Sequence, residues 1–187
     1  PAEPPMPTTR PAKVVAESAH YRHPPEAVWA ALTNGEALAQ WLMPNNFFVA
    51  EQGRRFQFRV DPMPFFKTNV TDCQIIEFDP PRRMVWSWKI VTPEHKKPLP
   101  TMRIEWTLTP EIDGTRLTLS QTQMEGLPWI FGLMMSFGWG TMLKRWLPPV
   151  IAAFDKDALG RFRYHRIAKP PNRGHHGVKT VPAEFFR

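Results

Sequence analysis

Between Arg54 and Met124, large apolar side chains recur at every second position, in short runs broken by turn residues. Phe56, Phe58 and Val60 alternate with Arg55, Gln57 and Arg59. Met84, Trp86, Trp88 and Ile90 alternate with Val85, Ser87 and Lys89, and Met102, Ile104, Trp106 and Leu108 share one face. A period of two sends successive side chains to opposite faces of a strand, so each run reads as a strand with an apolar side. Strands are expected over Phe47 to Glu51 and Arg54 to Val60, flanking Gly53 as in a hairpin. Others are expected over Asn69 to Asp79, Arg83 to Thr92, Met102 to Thr109 and Thr115 to Met124. Pro80-Pro81 and Asp113-Gly114 mark turns between them. Lys13 to His23 adds a seventh strand. Connections this short favour antiparallel pairing.

Helical patterning frames the strands. Pro25 suits a first helical turn, where its missing N–H costs nothing, and Val28, Trp29 and Leu32 then share a side of a helix over Pro25 to Leu32. Thr33 and Glu36 have capping-box spacing, which predicts a second helix over Asn34 to Leu42, with Leu38, Trp41 and Leu42 on its apolar face. Gly126 to Gly138 is apolar and irregular. After it, Trp139, Leu143, Trp146, Val150 and Phe154 recur at three- and four-residue steps, as in an amphipathic helix. Pro148-Pro149 inside that pattern predicts a bend near Leu147. The fold class expected is therefore α+β: a curved seven-stranded antiparallel sheet, two short helices and a long C-terminal helix.

At 187 residues the chain suits one domain with tails. Residues 1–11 hold five prolines and no apolar period, and are expected to form a disordered arm ahead of a domain over 12–167. From Gly160 onward, seven basic residues against the single acid Glu184 supply +6 of the formal charge of +7. A basic flexible tail is expected over 168–187, able to touch nucleic acid or anionic lipid. The lone Cys73 excludes an intramolecular disulfide and a cysteine-built zinc site. With no basic-then-apolar leader pattern, the expected location is cytoplasmic. Leu127 to Leu143 carries no charge, but it is short for a membrane span and contains three internal glycines. A segment that dips into a lipid surface fits it better.

Several stretches, in order, resemble one known family. His23-Pro24-Pro25-Glu26-Ala27-Val28-Trp29-Ala30-Ala31-Leu32 and Gln40-Trp41-Leu42 resemble its first two helices. Glu77-Phe78-Asp79-Pro80-Pro81-Arg82-Arg83 with Trp86-Ser87-Trp88 resembles its central hairpin. Asp113-Gly114-Thr115-Arg116-Leu117-Thr118-Leu119 resembles its last hairpin, and Gly138-Trp139 with Leu143 and Leu147 the start of its long helix. The family is the branch of the START-like, or SRPBCC, superfamily named for the activator of the heat-shock protein 90 ATPase. The resemblance covers about residues 12 to 160 and implies a helix-grip fold. Departures are Cys73 where relatives often carry glycine, Gln121 where a histidine is common, and the Pro148-Pro149 break. The superfamily includes lipid carriers, polyketide cyclases and co-chaperone modules, so the fold alone does not name an activity.

No catalytic constellation emerges: there is no Gly-x-Ser-x-Gly elbow, phosphate-binding glycine loop or His-Glu-x-x-His. His20 and His23 at the end of the first strand, or Glu77 with Glu105 on neighbouring strands, are the groups that acid–base chemistry would use, although such positions are more often structural. His165, His175 and His176 fall in or near the tail, where a metal would lack a fixed geometry. The expected site is instead an internal apolar cavity without metal or covalent cofactor. Phe56, Phe58, Trp86, Trp88, Trp106 and Leu119 would line it from the sheet, and Trp139 and Leu143 from the helix, with Trp146 alongside. Period two from Leu117 and Leu119 also turns Gln121 and Gln123 inward, where a buried amide needs a partner or anchors a ligand's polar end. Met124, Met134, Met135 and Met142 would form an adaptable mouth. The partner implied is a small hydrophobic molecule. The co-chaperone branch adds a protein partner as the alternative, and a cyclase- or hydrolase-type enzyme using the same pocket is the third reading.

Overall fold

The computed structural model describes residues 14–59, 70–91 and 99–172. The expected arm over 1–11 lies outside them, as do His175, His176 and the tail from 173. In chain order the elements are β1 (Val15–Tyr21), α1 (Pro25–Thr33), α2 (Gly35–Trp41), β2 (Asn45–Asn46), β3 (Arg55–Arg59), β4 (Val70–Asp79), β5 (Arg83–Val91), β6 (Met102–Glu111) and β7 (Gly114–Thr122). α3 (Trp129–Thr141), a π-helical segment (Met142–Trp146), α4 (Leu147–Ile151), β8 (Phe154–Lys156) and β9 (Phe162–Tyr164) complete it. Seven strands form one antiparallel sheet in the order β1-β7-β6-β5-β4-β3-β2. The fold is the expected α+β helix-grip arrangement.

Alternation places Phe56, Phe58, Ile75, Trp86, Trp88, Ile104, Trp106, Leu117 and Leu119 in one buried core with α1, α2 and the C-terminal helices. That burial, at about 25 cal/mol per Å² of apolar surface, is the main force holding sheet to helices. Most strand boundaries fall within two residues of expectation. The first hairpin does not. Its leading strand is Asn45–Asn46, and Phe47 turns away from the sheet with φ +60°. Apolar residues at 47–49 imitate a strand, but a left-handed residue breaks the pairing.

Two helix details also differ from the pattern. The cap of α2 is Asn34, whose Oδ1 accepts the Ala37 N–H at 2.9 Å. Thr33 instead donates to the Trp29 carbonyl, closing α1. The long helix begins ten residues earlier than its amphipathic pattern, because Trp129 to Gly138 is helical despite being apolar on nearly all sides. Its irregularity is the π segment, where Leu147 N–H reaches back to the Met142 carbonyl. A proline ring clashes with the carbonyl four residues before it. Widening the turn ahead of Pro148 and Pro149 relieves that clash.

The chain after Ile151 is not a continuation of the helix: β8 and β9 form a hairpin with Phe154 opposite Tyr164. Docking continues past the expected domain end. The Gln40 side-chain amide donates from Nε2 to the Ile167 carbonyl and accepts the Ile167 N–H at Oε1, and buried Asn172 donates to the Ala39 carbonyl at 2.7 Å. Residues 168–172 therefore run along α2.

Candidate functional site

The buried space between sheet and helix is an aromatic cluster. Trp86 and Trp106 project from the neighbouring strands β5 and β6 with ring centroids 5.3 Å apart. Phe56 and Phe58 pack against Trp86 at 5.4 and 5.8 Å, and Phe58 also meets Trp88. α2 contributes Trp41, edge-on to Trp106. From α3, Trp139 descends between Trp88 and Trp106, edge-on to both at 5.6 and 5.7 Å. Leu143 and Leu119 close the cluster. Sequence periodicity thus brings together Phe56, Phe58, Trp86, Trp88, Trp106, Leu119, Trp139 and Leu143.

The two glutamines part company. Gln121 is fully buried. Its Oε1 accepts the Trp139 indole N–H at 2.7 Å, and its Nε2 lies 2.9 Å from the Met102 sulfur. Gln123 is exposed, with φ +60°. Period two fails there because β7 ends at Thr122, and the left-handed residue reverses the chain before it reaches the interior. The inward placement of Gln123 is therefore corrected. Met124 is buried, Met135 and Met142 are half-buried, and Met134 is exposed on the outer side of α3. Trp146 packs partly buried at the core's edge.

Hydrogen bonding divides the buried indoles. Trp41 donates to the Ala31 carbonyl at 3.0 Å, and Trp139 donates to Gln121. The N–H groups of Trp86 and Trp106 are buried and, among the described residues, have no acceptor. A buried donor left unpaired costs about 1–3 kcal/mol, and buried tryptophans ordinarily find a partner. Sequence periodicity places these rings but carries no sign of which nitrogens stay unpaired. The role of Met102 as an acceptor was equally hidden.

Groups considered for acid–base chemistry lie elsewhere. Glu77 bonds Arg83 and Arg103, and Glu105 bonds Arg83 at 2.8 Å. The Arg103 and then the Arg83 guanidinium hold the Glu77 carboxyl below the usual carboxylate range. These side chains form an ion network on the outer face of the sheet. His20 approaches Asp113 at 3.1 Å, and His165 approaches Asp155 at 2.8 Å. Burial pushes the Cys73 thiol well up, so it stays protonated and a poor nucleophile. Among the described residues, no three His, Cys, Asp or Glu side chains converge to hold a metal.

Two open grooves lie outside the core. One, of about 490 Å³, runs over β3 to β5 and includes Arg55, Asp72, Gln74 and Lys89. The other, of about 600 Å³, lies between β1 and α3.

The sheet order, the helical grip and the aromatic interior match a family model described as "Activator of Hsp90 ATPase homolog 1-like protein" over residues 22–152. The chain belongs to this family. Among solved structures of the Hsp90 ATPase activator-like fold, it is similar to protein MLL2253 from Mesorhizobium loti, with 25% identity and a TM-score of 0.64 over 76% of this chain and 99% of that one. It also resembles CV1439 from Chromobacterium violaceum (21% identity, TM-score 0.59, 74% and 96% of the two chains). CalU16 from Micromonospora echinospora is similar at 22% identity and TM-score 0.54, over 71% and 73%. Comparison with curated proteins gives no match. Families of this fold commonly bind hydrophobic ligands. Among the described residues, no helix is long and apolar enough to cross a membrane.

Proposed function

We propose that the protein binds a small, largely apolar molecule carrying one hydrogen-bond acceptor in the aromatic interior between the sheet and α3. The observation that carries this reading is that, among the described residues, the buried indole N–H groups of Trp86 and of Trp106 have no partner, on rings whose centroids are 5.3 Å apart. An acceptor reaching either would recover a cost that the apolar neighbours cannot. Entry is through α3. Of its thirteen residues, only Phe131 and Trp139 are fully buried, so its displacement breaks the contacts of these two with the core and the partial packing of Met135. Withdrawing Trp139 uncovers Trp88, Trp106 and the Gln121 amide together. Gln121 then becomes a second polar anchor, exchanging the Trp139 N–H for the ligand. No metal or covalent cofactor has a part in this.

Gentle native mass spectrometry of the purified chain, followed by tryptophan-quenching titration with the recovered molecule, tests the proposal. A bound mass that quenches fluorescence supports it, as does a higher Kd for that molecule in Trp106→Phe, which keeps a smaller aromatic ring but loses the N–H. Absence of any ligand in a broad lipid and metabolite screen overturns it. Concentration-dependent stimulation of an Hsp90 ATPase in that case replaces it with the adaptor reading.

A further inference from the structure

A helix that is apolar all round belongs in an interior, with partners on every side. Among the described residues, α3 has a partner on one side only. Its inner face seats Phe131 and Trp139, while the opposite face leaves Trp129, Ile130, Leu133, Met134 and Phe137 exposed at 72, 59, 61, 43 and 79%. At 100° per residue these five fall within one 140° sector. A contiguous apolar face of this kind marks an interaction surface.

What the face fits is set by the charge around it. From Gly126 to Leu143 no side chain is ionisable. The next two residues are Lys144 and Arg145, both exposed. They line the groove of about 600 Å³ between β1 and α3 together with Leu133, Phe137, Ser136 and Glu17. Among the described residues, Glu17 is the one carboxylate lining that groove. It is already engaged by the Ser136 hydroxyl and, at 3.2 Å, by Lys144. The groove therefore has apolar walls at one end and, at the other, Arg145 and a Lys144 that it shares with Glu17. An exposed face of Trp, Phe and Leu with Lys and Arg just beyond the helix end pairs apolar area with positive charge, the combination that an anionic lipid surface complements.

We propose that the outer face of α3 docks on an anionic phospholipid surface, with Trp129, Leu133 and Phe137 entering the acyl boundary and Lys144 and Arg145 meeting headgroup phosphates. The proposal is independent of the ligand reading, since none of the five side chains belongs to the aromatic interior.

Flotation of the full chain with phosphatidylcholine vesicles, with and without phosphatidylserine, tests it. Binding is expected on the phosphatidylserine vesicles, with loss of affinity as salt rises past about 0.15 M. Leu133→Asp with Phe137→Asp should weaken it on the order of tenfold or more, because two large side chains no longer leave water. Lys144→Ala with Arg145→Ala should weaken binding to the phosphatidylserine vesicles and leave any binding to pure phosphatidylcholine unchanged. All four positions are outside the core, so circular dichroism should show a native fold, with only a small drop in melting temperature from losing the Lys144–Glu17 pair. Acyl-chain-brominated lipid should quench the wild type more than Trp129→Phe, a readout that does not depend on the charge variants. No flotation on either vesicle overturns the proposal. So does a concentration-dependent dimer that Phe137→Asp dissociates while vesicles fail to bind, which would assign the face to a second copy of the chain.

Discussion

The buried Tyr21 hydroxyl donates to the Leu143 carbonyl at 2.7 Å, joining the end of β1 to the π segment. The helix itself leaves this carbonyl short of a donor. Its α-helical partner, Leu147 N–H, is taken by Met142, and the π-helical position is Pro148, which has no N–H. Burial pushes the Tyr21 phenol well above its ordinary range, so it remains a donor. Gly114 lets the end of β1 lie close against the start of β7: a Cβ there would sit 2.0 Å from the Tyr21 carbonyl oxygen. Tyr21→Phe should cost about 1–3 kcal/mol in urea denaturation, by orphaning a buried carbonyl. In a Pro148→Ala, Pro149→Ala background the helix supplies its own donors and straightens, so the same change should cost less. Equal costs in the two backgrounds would show that the prolines do not create the need for Tyr21.

Gln121→Leu is expected to destabilise by about 1–3 kcal/mol, because it leaves the Trp139 N–H without an acceptor in a buried site. Thermal melting checks this, and a shift in tryptophan emission should accompany it. Gln123→Gly should do the reverse and stabilise by up to about 1 kcal/mol, since glycine adopts φ +60° without strain. A neutral Gln121→Leu would mean that the amide does not tie α3 to the sheet.

Acid should loosen α3 from β1. The Ser136 hydroxyl, and after it Lys144, hold the Glu17 carboxyl below its ordinary value of 4.5, against the opposing effect of burial. A folded-state pKa below the unfolded one adds stability that is present above the unfolded pKa and lost as pH falls through the folded pKa. Wild type should therefore lose more stability than Glu17→Gln on going from about pH 6 to about pH 3. Parallel acid limbs in denaturation curves would remove Glu17 from the account.

The segment after β9 should contribute to stability through α2. Gln40 accepts from Ile167 N–H and from the Tyr164 hydroxyl, and donates to the Ile167 carbonyl. Gln40→Ala should cost about 1–3 kcal/mol. Asn172→Ala should cost about 1 kcal/mol, through its bond to Ala39. Hydrogen exchange of the Ile167 amide would show whether the segment has come away.

What was legible in the sequence follows from strict local periods. Alternation at Phe56, Trp86, Trp88 and Trp106 has one geometric solution in a strand, so the sheet and its aromatic face could be read off residue by residue. Gln121 follows the same period. Gln123 does not, because whether a strand continues one more pair depends on how the next segment turns, and Gln123 shows no glycine-like signal for φ +60°. The start of α3 was hidden for a related reason. A helix apolar on both faces has no amphipathic period to find, and the sheet packed against its inner face makes Trp129 to Gly138 part of the element. The pairing of Tyr21 with Leu143, 122 residues apart, and the solitary indole N–H groups of Trp86 and Trp106 belong wholly to the tertiary structure. A hydrogen-bond partner is set by which atoms packing brings within about 3 Å, and no local pattern carries that distance.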